Sequence, residues 1–274
     1  MRKILLAAAA LLAPAACLAA GVTTLTWHGH AAFEIHTPKG RVLFIDPWLN
    51  NPVNPAAKNG VDAAAKVKRA DYILVTHGHF DHVGDAVALG KSTKARLVAS
   101  MELGTNMARL LGYPAEQMGF DTLGNAGGEL KLGDGEIVVQ FTPAVHASGM
   151  DVGKDKPLAY GGSPNGFIIK IKDGPTIYHS GDTAFFKDME QIAPADIDVA
   201  LLNIGGHFGM EPDAAAMAAR VINPKLVIPH HYKTFPILTQ DPKAFFEELD
   251  GDKIPHVEMQ PGETLTFEGR ELKK

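Results

Sequence analysis

Apolar residues along the chain occur in two patterns, short strand-like runs and longer amphipathic stretches. Val22–Trp27 alternates polar and apolar residues, and residues 199–204 are a continuous apolar run, so both segments are predicted strands. Residues 101–111 and Pro212–Ile222 have the spacing typical of helices. Further strands are predicted at 31–36, 41–45, 71–76, 96–99, 129–132, 136–142, 167–171, 176–178 and 226–229, two short strands at 256–267, and further helices at 61–69, 83–89, 185–192 and 241–249.

Strands alternate with helices along this pattern, and no linker separates two domains. The pattern therefore predicts a single α/β domain over residues 21–274. One hairpin-like stretch occurs twice within it, because Phe33 and Ile35 recur as Phe167 and Ile169 at the same separation. Two readings stay open: a chance likeness between two hairpins, or two similar β-halves packed face to face with helices outside.

The first twenty residues differ from the rest and are expected to be a secretory signal peptide. Arg2 and Lys3 precede an apolar stretch at 4–13, and small residues follow up to Ala20, so cleavage is expected after Ala19 or Ala20. A periplasmic or secreted location follows. Lipoprotein anchoring through Cys17 is the second reading, because Pro14 departs from the usual lipid-attachment pattern.

Composition limits the partners and the chemistry. The chain is 46% hydrophobic and 21% charged, with a net charge of −5, so nucleic-acid or anionic-membrane binding is not expected. Cys17 is the sole cysteine and belongs to the predicted leader, so the processed chain would contain none. Any metal site must then use histidines and carboxylates, and a small-molecule substrate is the expected partner.

The segment THGHFDHVGD at residues 76–85 contains four metal-ligand side chains, His77, His79, Asp81 and His82. Alternate residues of an extended segment point the same way, so the first three share one side, and a turn at Asp81 would bring His82 beside them. Nitrogen and oxygen donors at this density suit zinc. The alternative is a polar loop that is merely histidine-rich.

Three further candidate ligands follow apolar strands elsewhere, namely His146, Asp182 and His231. Seven donors exceed the four that one zinc ion takes, and they suit two ions sharing a carboxylate. We assign the first ion to His77, His79 and His146, the second to Asp81, His82 and His231, and the shared position to Asp182. Zinc is the expected metal, with Mn²⁺ or iron as alternatives.

Two ions roughly 3.5–4 Å apart can hold a hydroxide and polarise a carbonyl or phosphoryl oxygen, which is hydrolysis without a protein nucleophile. The chain has neither a Gly-x-Ser-x-Gly elbow nor, after processing, a thiol. The catalytic candidates are Asp81 and His207, the latter as an acid or substrate donor, with a plain structural role as its alternative. His30 ranks below His207, and Asp46 is expected to accept a ligand histidine's second N–H.

These motifs resemble the metallo-β-lactamase superfamily, and more closely its branch of metal-dependent hydrolases that includes ascorbate-6-phosphate lactonase-like proteins. The matching segments are WHGHAAFEI at 27–35, IDPW at 45–48, VTHGHFDHVGD at 75–85, SGDTA at 180–184, NIGGHFGM at 203–210 and PHHYKTFP at 229–236. The resemblance implies an αββα sandwich of two mixed β-sheets with a dinuclear site at one edge. His230 and Lys233 depart from the branch, which leaves the substrate open.

The sequence predicts a metal-dependent hydrolase of an ester, lactone, phosphodiester or amide. The alternatives are β-lactam hydrolysis, a redox di-iron site, and a metal-binding protein without turnover. Lys233 could attract an anionic group. Apolar residues next to the predicted ligands suggest a partly apolar cleft, and they are Trp48, Phe80, Phe208, Met210, Tyr232 and Phe235.

Overall fold

The computed structural model describes residues 21–273, so the predicted leader and Cys17 lie outside the described residues. The strands of the first half are β1 Val22–Trp27, β2 Phe33–His36, β3 Val42–Ile45, β4 Tyr72–Leu74, β5 Arg96–Ser100 and β6 Leu123–Gly124. The later strands are β7 Glu129–Leu132, β8 Ile137–Pro143, β9 Gly149–Met150, β10 Ala159–Tyr160, β11 Asn165–Ile171, β12 Thr176–His179, β13 Val199–Asn203, β14 Leu226–His230, β15 Thr264–Glu268 and β16 Glu271–Leu272. The α-helices are α1 Phe80–Val83, α2 Ala86–Thr93, α3 Met101–Asn106, α4 Pro212–Ile222 and α5 Lys243–Gly251.

The strands form two mixed sheets and a small separate ribbon. The first sheet has the order β16-β15-β1-β2-β3-β4-β5-β6, and the second has the order β14-β13-β12-β11-β8-β7. Each sheet combines antiparallel hairpins with parallel neighbours, since β3, β4 and β5 run parallel in the first and β12, β13 and β14 in the second. The strands β9 and β10 pair with each other.

The two sheets pack face to face. Phe33 of β2 lies with its ring centre 5.7 Å from that of His179 on β12 and 5.9 Å from that of His230 on β14. On the outer face of the first sheet, Leu89 of α2 and Leu103 of α3 are fully buried, and α4 packs on β13 of the second sheet. Burial of each large apolar side chain contributes roughly 1.5–3 kcal/mol. The predicted αββα sandwich is confirmed.

The repeated hairpin has the same register in both sheets. Phe33 pairs with Ile45, and Ile35 pairs with Leu43, in the hairpin of β2 and β3. The corresponding pairs in β11 and β12 are Phe167 with His179 and Ile169 with Ile177. Each hairpin is flanked by an antiparallel strand on one side and two parallel strands on the other. This correspondence supports the reading as two similar β-halves.

Several predicted helices differ from the observed ones. Residues 61–69 contain only the short 3₁₀ turn Ala64–Lys66, and the helix expected at 185–192 is the 3₁₀ segment Lys187–Ala195, which includes Pro194. Pro194 lacks the N–H that an α-helix would need at this position. By contrast, Pro212–Ile222 is helical over the predicted range. None of the helices in the described part of the chain has the length and apolar character needed to cross a membrane.

Candidate metal centre

The candidate ligands come together because their strands end at one edge of the sandwich. His77 follows β4 of the first sheet, while His146, Asp182 and His231 follow β8, β12 and β14 of the second. The predicted turn at Asp81 is the single helical turn α1. Gly84 ends it with φ 39°, where a side chain's Cβ would lie 2.7 Å from Trp48 Cα.

Three histidines form one group of potential ligands. Nε2 of His77 lies 2.9 Å from Nδ1 of His79, which in turn lies 3.2 Å from Nε2 of His146. Nitrogens sharing a tetrahedral zinc ion would lie about 3.3–3.4 Å apart, given Zn–N distances of about 2.0–2.1 Å. The observed separations are close to this value, so the three side chains could hold one ion.

The second group contains Asp81, His82 and His231, and His30 joins it in space. The rings of His82 and His231 are stacked with centres 5.4 Å apart, and Nε2 of His231 lies 3.8 Å from Oδ2 of Asp81. These donors all come from the ends of strands or from α1. They could hold a second ion.

Asp182 lies between the two groups. Its Oδ2 is 3.0 Å from Nε2 of His231, 3.4 Å from Nε2 of His82 and 3.6 Å from Nε2 of His146. The first two nitrogens belong to the second group, and the third belongs to the first group. The carboxylate therefore occupies the place expected of a ligand shared by two ions. Whether the seven residues bind metal stays a prediction.

The hydrogen bonding of these side chains fits a cation. Nε2 of His82, Nε2 of His231 and Oδ1 of Asp182 are buried and have no hydrogen-bond partner among the described residues. A buried polar atom without a partner costs about 1–3 kcal/mol. Both histidine nitrogens lie within 3.4 Å of the Asp182 carboxylate, so a metal ion bound beside it would satisfy these groups. The residues present thus fit the metals that the sequence predicts.

Asp46 fixes the orientation of His82. Its Oδ2 accepts from Nδ1 of His82 at 2.7 Å and from Oγ1 of Thr76 at 2.7 Å, and its Oδ1 accepts from the Thr76 amide at 2.8 Å. This leaves Nε2 of His82 directed towards Asp182. The structure contains the contact expected of Asp46. The residue has a positive φ of 44°, which is uncommon for a non-glycine residue.

The surroundings of most candidate ligands favour the protonation state that binds a metal, which is a neutral imidazole or an ionised carboxylate. Burial lowers the pKa of His77, His79 and His146, so these imidazoles are neutral and keep a lone pair. Burial alone would raise the pKa of Asp182, but His231 and His82 hold it well below its usual range. Burial likewise opposes charge on His82, yet Asp182 and Asp46 raise its pKa well above normal. The raised pKa means that His82 carries a second proton, and a bound metal ion would replace it.

His30 is the residue that sequence reasoning undervalued. It is fully buried, with Nε2 3.0 Å from Oδ2 of Asp81 and Nδ1 2.8 Å from Oγ1 of Thr234. Its ring centre lies 3.8 Å from that of His231. Burial, followed by the charge of His231, lowers its pKa to about 3. His30 therefore holds Asp81 in place as a neutral ring.

Other residues singled out in the sequence lie away from the ligands. His207 is exposed, and its neighbour Phe208 lines the cavity instead; the catalytic role of His207 stays a prediction. His230 is buried and stacks on His179 at 4.5 Å. Lys233 donates from Nζ to Oε1 of Glu258 at 3.2 Å. It does not line the cavity among the described residues.

A cavity of about 490 Å³ opens over the candidate ligands. It is lined by His79, Phe80, Asp81, His146, Gly149, Asp151, Leu158, Asp182, Phe208, His231, Phe235, Ile237 and Leu238. The expected apolar cleft thus includes Phe80, Phe208 and Phe235. Met210 and Tyr232 belong to the core instead, because both are almost fully buried.

Comparison with known proteins agrees with this fold. The family described as the beta-lactamase superfamily domain matches residues 41–232. A UPF0173 metal-dependent hydrolase of Thermodesulfovibrio yellowstonii is 43% identical over 98% of this chain and 100% of its own length. One from Anaeromyxobacter sp. (strain K) is 47% identical over 91% of this chain and 88% of its own length. The solved structure of Igni18, described as a novel metallo hydrolase from Ignicoccus hospitalis, is 35% identical with a TM-score of 0.76, covering 90% of this chain and 99% of that one.

The chain belongs to the metallo-β-lactamase superfamily, in which it is a metal-dependent hydrolase. The resemblance inferred from the motifs is confirmed at this level. The narrower likeness to ascorbate-6-phosphate lactonases stays a prediction.

Proposed function

We propose that this hydrolase holds two divalent metal ions and cleaves an ester, lactone, phosphodiester or amide bond in a small molecule. His77, His79 and His146 would hold one ion, Asp81, His82 and His231 would hold the other, and Asp182 would be shared. Five imidazoles and two carboxylates suit zinc best, with Mn²⁺ and iron as alternatives.

The position of Asp182 carries this proposal. Its Oδ2 lies within 3.6 Å of ring nitrogens from both histidine groups, and its Oδ1 is buried without a hydrogen-bond partner among the described residues. A single ion would leave one group of donors unused. Two ions sharing this carboxylate would use all of them.

Bound divalent ions supply Lewis acidity towards a carbonyl or phosphoryl oxygen and lower the pKa of water to about 7. The protein's own contribution is orientation. Asp46 holds Nδ1 of His82, and His30 holds Oδ2 of Asp81, so neither ligand needs to reorganise when substrate arrives. The cavity above them places a substrate beside the same edge of the sandwich.

Elemental analysis of purified protein, with activity on a chromogenic panel, tests the proposal. The wild type should contain about two metal ions per chain and hydrolyse at least one ester, phosphodiester, amide or cephalosporin in the panel. Asp182→Asn and His79→Ala should each lose metal, because each removes or weakens a donor. The metal identified in the wild type decides between zinc, Mn²⁺ and iron.

His36→Ala is the matched control, since this histidine is half exposed and contacts Glu34 rather than the centre. It should retain the full metal content and activity. Fewer than about one ion per chain in metal-replete wild type, unchanged by His79→Ala, would contradict the site. Two bound ions with no hydrolysis of any panel member would leave a metal-binding protein without turnover.

We also propose that the chain is exported to the periplasm or medium through residues 1–20. The support is the charge and apolar pattern of this segment. Expression of the full chain followed by N-terminal sequencing of the exported protein tests it. The mature product should begin at Ala20 or Gly21; lipid attachment at Cys17, abolished by Cys17→Ser, would support the lipoprotein reading instead.

A further inference from the structure

Exposed apolar side chains are concentrated at the mouth of the cavity. The described residues expose eleven large apolar side chains, and four of them line this one cavity. These four are Phe80, Leu158, Phe208 and Ile237, with exposed fractions between 56% and 66%. Single exposed apolar residues are ordinary, but a group around a cavity marks a binding surface.

The four side chains come from separate segments that the fold brings together. Phe80 begins α1, Leu158 precedes β10, and Phe208 and Ile237 follow β13 and β14. Leu158 lies across Gly149, where an added Cβ would come within 2.8 Å of it. The rim is therefore assembled by tertiary structure and is not one hydrophobic loop.

Aromatic packing supports one side of the rim. Phe235 stacks on Trp48 with ring centres 5.7 Å apart, and Phe80 packs edge-on against Trp48 at 5.8 Å. Phe80 and Phe235 lie 6.3 Å apart. Such aromatic contacts hold the rings in fixed orientations, so this side of the cavity is preformed.

Away from the proposed metal centre, the cavity lining offers no positive charge to an anionic group. Within the described chain, its titratable lining residues are three histidines of the proposed metal centre and the carboxylates Asp81, Asp151 and Asp182, with neither lysine nor arginine. Asp81 and Asp182 belong to the proposed metal centre, which leaves Asp151 as an additional negative charge. Lys233, a candidate for anion binding, is paired with Glu258 instead.

We propose that the substrate is an uncharged ester or lactone with an apolar chain of medium length, and that this chain lies on Phe208, Leu158 and Ile237. The inference rests on the proposed hydrolase function. Water adds to the carbonyl carbon, the carbon–oxygen bond to the alcohol breaks, and a carboxylate, the alcohol and one proton are released. A lactone opens to a single hydroxy acid in the same way.

A series of p-nitrophenyl esters with one leaving group tests the proposal on metal-replete enzyme. The value of kcat/KM should rise at least about tenfold from acetate to hexanoate, because each buried methylene contributes roughly a factor of four. The mono-p-nitrophenyl ester of adipic acid has the same chain length and a terminal carboxylate. It should react at least about tenfold more slowly than the hexanoate, because its charge would be buried on an apolar wall.

Phe208→Lys and Ile237→Lys should reduce the preference for hexanoate over the adipate monoester, since each adds a positive charge to the rim. Phe120→Lys is the control, because Phe120 is 90% exposed and does not line the cavity. It should retain the wild-type preference. Equal rates for acetate and hexanoate, or a wild-type preference for the adipate monoester, would overturn the proposal.

Binding of the neutral fluorescent probe N-phenyl-1-naphthylamine separates this inference from the hydrolase proposal. Probe binding should weaken in Phe208→Lys and Ile237→Lys but not in Phe120→Lys, whatever the activity. If no ester in the series is hydrolysed, the hydrolase proposal fails for this substrate class, while variant-sensitive binding would still show an apolar ligand surface. Binding that is absent, or equal in all variants, would exclude that surface.

Discussion

His82 donates its Nδ1 hydrogen to Asp46 over 2.7 Å, and both side chains are fully buried. The contact joins a residue that follows β3 to a residue in the motif at 76–85. It determines the tautomer of His82 and leaves Nε2 free for a metal. The proposed metal centre would therefore depend on a carboxylate that is not among the candidate ligands.

Asp46→Ala should weaken metal binding about 10- to 100-fold, because loss of such a supporting hydrogen bond has effects of this size. Competition with a chromogenic chelator measures the change. Asp71→Asn is the matched control, since Asp71 also accepts a backbone amide, that of Val42 at 2.8 Å, away from the centre. Unchanged affinity in folded Asp46→Ala would mean that His82 is oriented by its other neighbours.

His30→Ala should lower kcat by about tenfold or more and weaken one of the two metal sites, because Asp81 loses the hydrogen bond that holds it. His30→Gln keeps a side-chain N–H and should recover part of the loss. Parallel kinetics and metal titrations check both effects. His28→Ala, two residues earlier and bound to Glu34, should retain the wild-type kcat and metal affinity; equal losses in all three variants would indicate a general folding defect.

Phe167→Ala should reduce the free energy of unfolding by about 3–5 kcal/mol, the usual cost of removing a buried aromatic ring. Phe167 is fully buried, and its ring centre lies 5.3 Å from that of Phe141. Urea unfolding monitored by circular dichroism measures the difference. Phe120→Ala removes an exposed ring and should change stability by less than about 0.5 kcal/mol. Similar effects at both positions would argue against the buried position of Phe167.

Glu34→Gln should destabilise the protein near neutral pH but much less in acid. Burial would raise the pKa of Glu34, but hydrogen bonds from His28 and His36 hold it below its ordinary value of 4.5. A carboxylate with a depressed pKa contributes stability above its unfolded pKa, and that contribution is lost as the pH falls through the folded value. Urea unfolding of both proteins from about pH 7 to about pH 3 should therefore show a shrinking difference.

Glu129→Gln, at an exposed position of β7, is the control for charge alone. Its effect should be small at every pH. If the effect of Glu34→Gln were the same throughout the series, the hydrogen bonds with His28 and His36 would not account for its stability contribution.

The elements predicted correctly are those in which the apolar pattern and the residues at the ends indicate the same structure. Val22–Trp27 alternates in the structure between the core and the outer side, and α4 begins at Pro212 and ends before Asn223, which has the left-handed φ of 53° common at helix ends. In residues 61–69 the predicted helix was not supported by signals of this kind at its ends. Their composition suits a helix, but in the structure they contain only a short 3₁₀ turn.

The candidate ligands could be predicted because each follows an apolar strand, and strand ends meet at one edge. The supporting role of His30 could not, because it depends on Asp81 and Thr234, which are distant in sequence. The role of the Lys233 charge could not be predicted either, because its pairing with Glu258 is a tertiary contact. The sequence shows which side chains can bind a metal or carry a charge. The residues that these side chains contact are known only from the fold.

The division of the candidate ligands between the two β-halves has a consequence for stability. His77, His79, Asp81 and His82 belong to the first half, and His146, Asp182 and His231 belong to the second. Ions held by both groups would link the two halves. Separation of the halves would then be coupled to release of the metal. The free energy of separating the two halves would then rise with metal occupancy, and chelation would lower it.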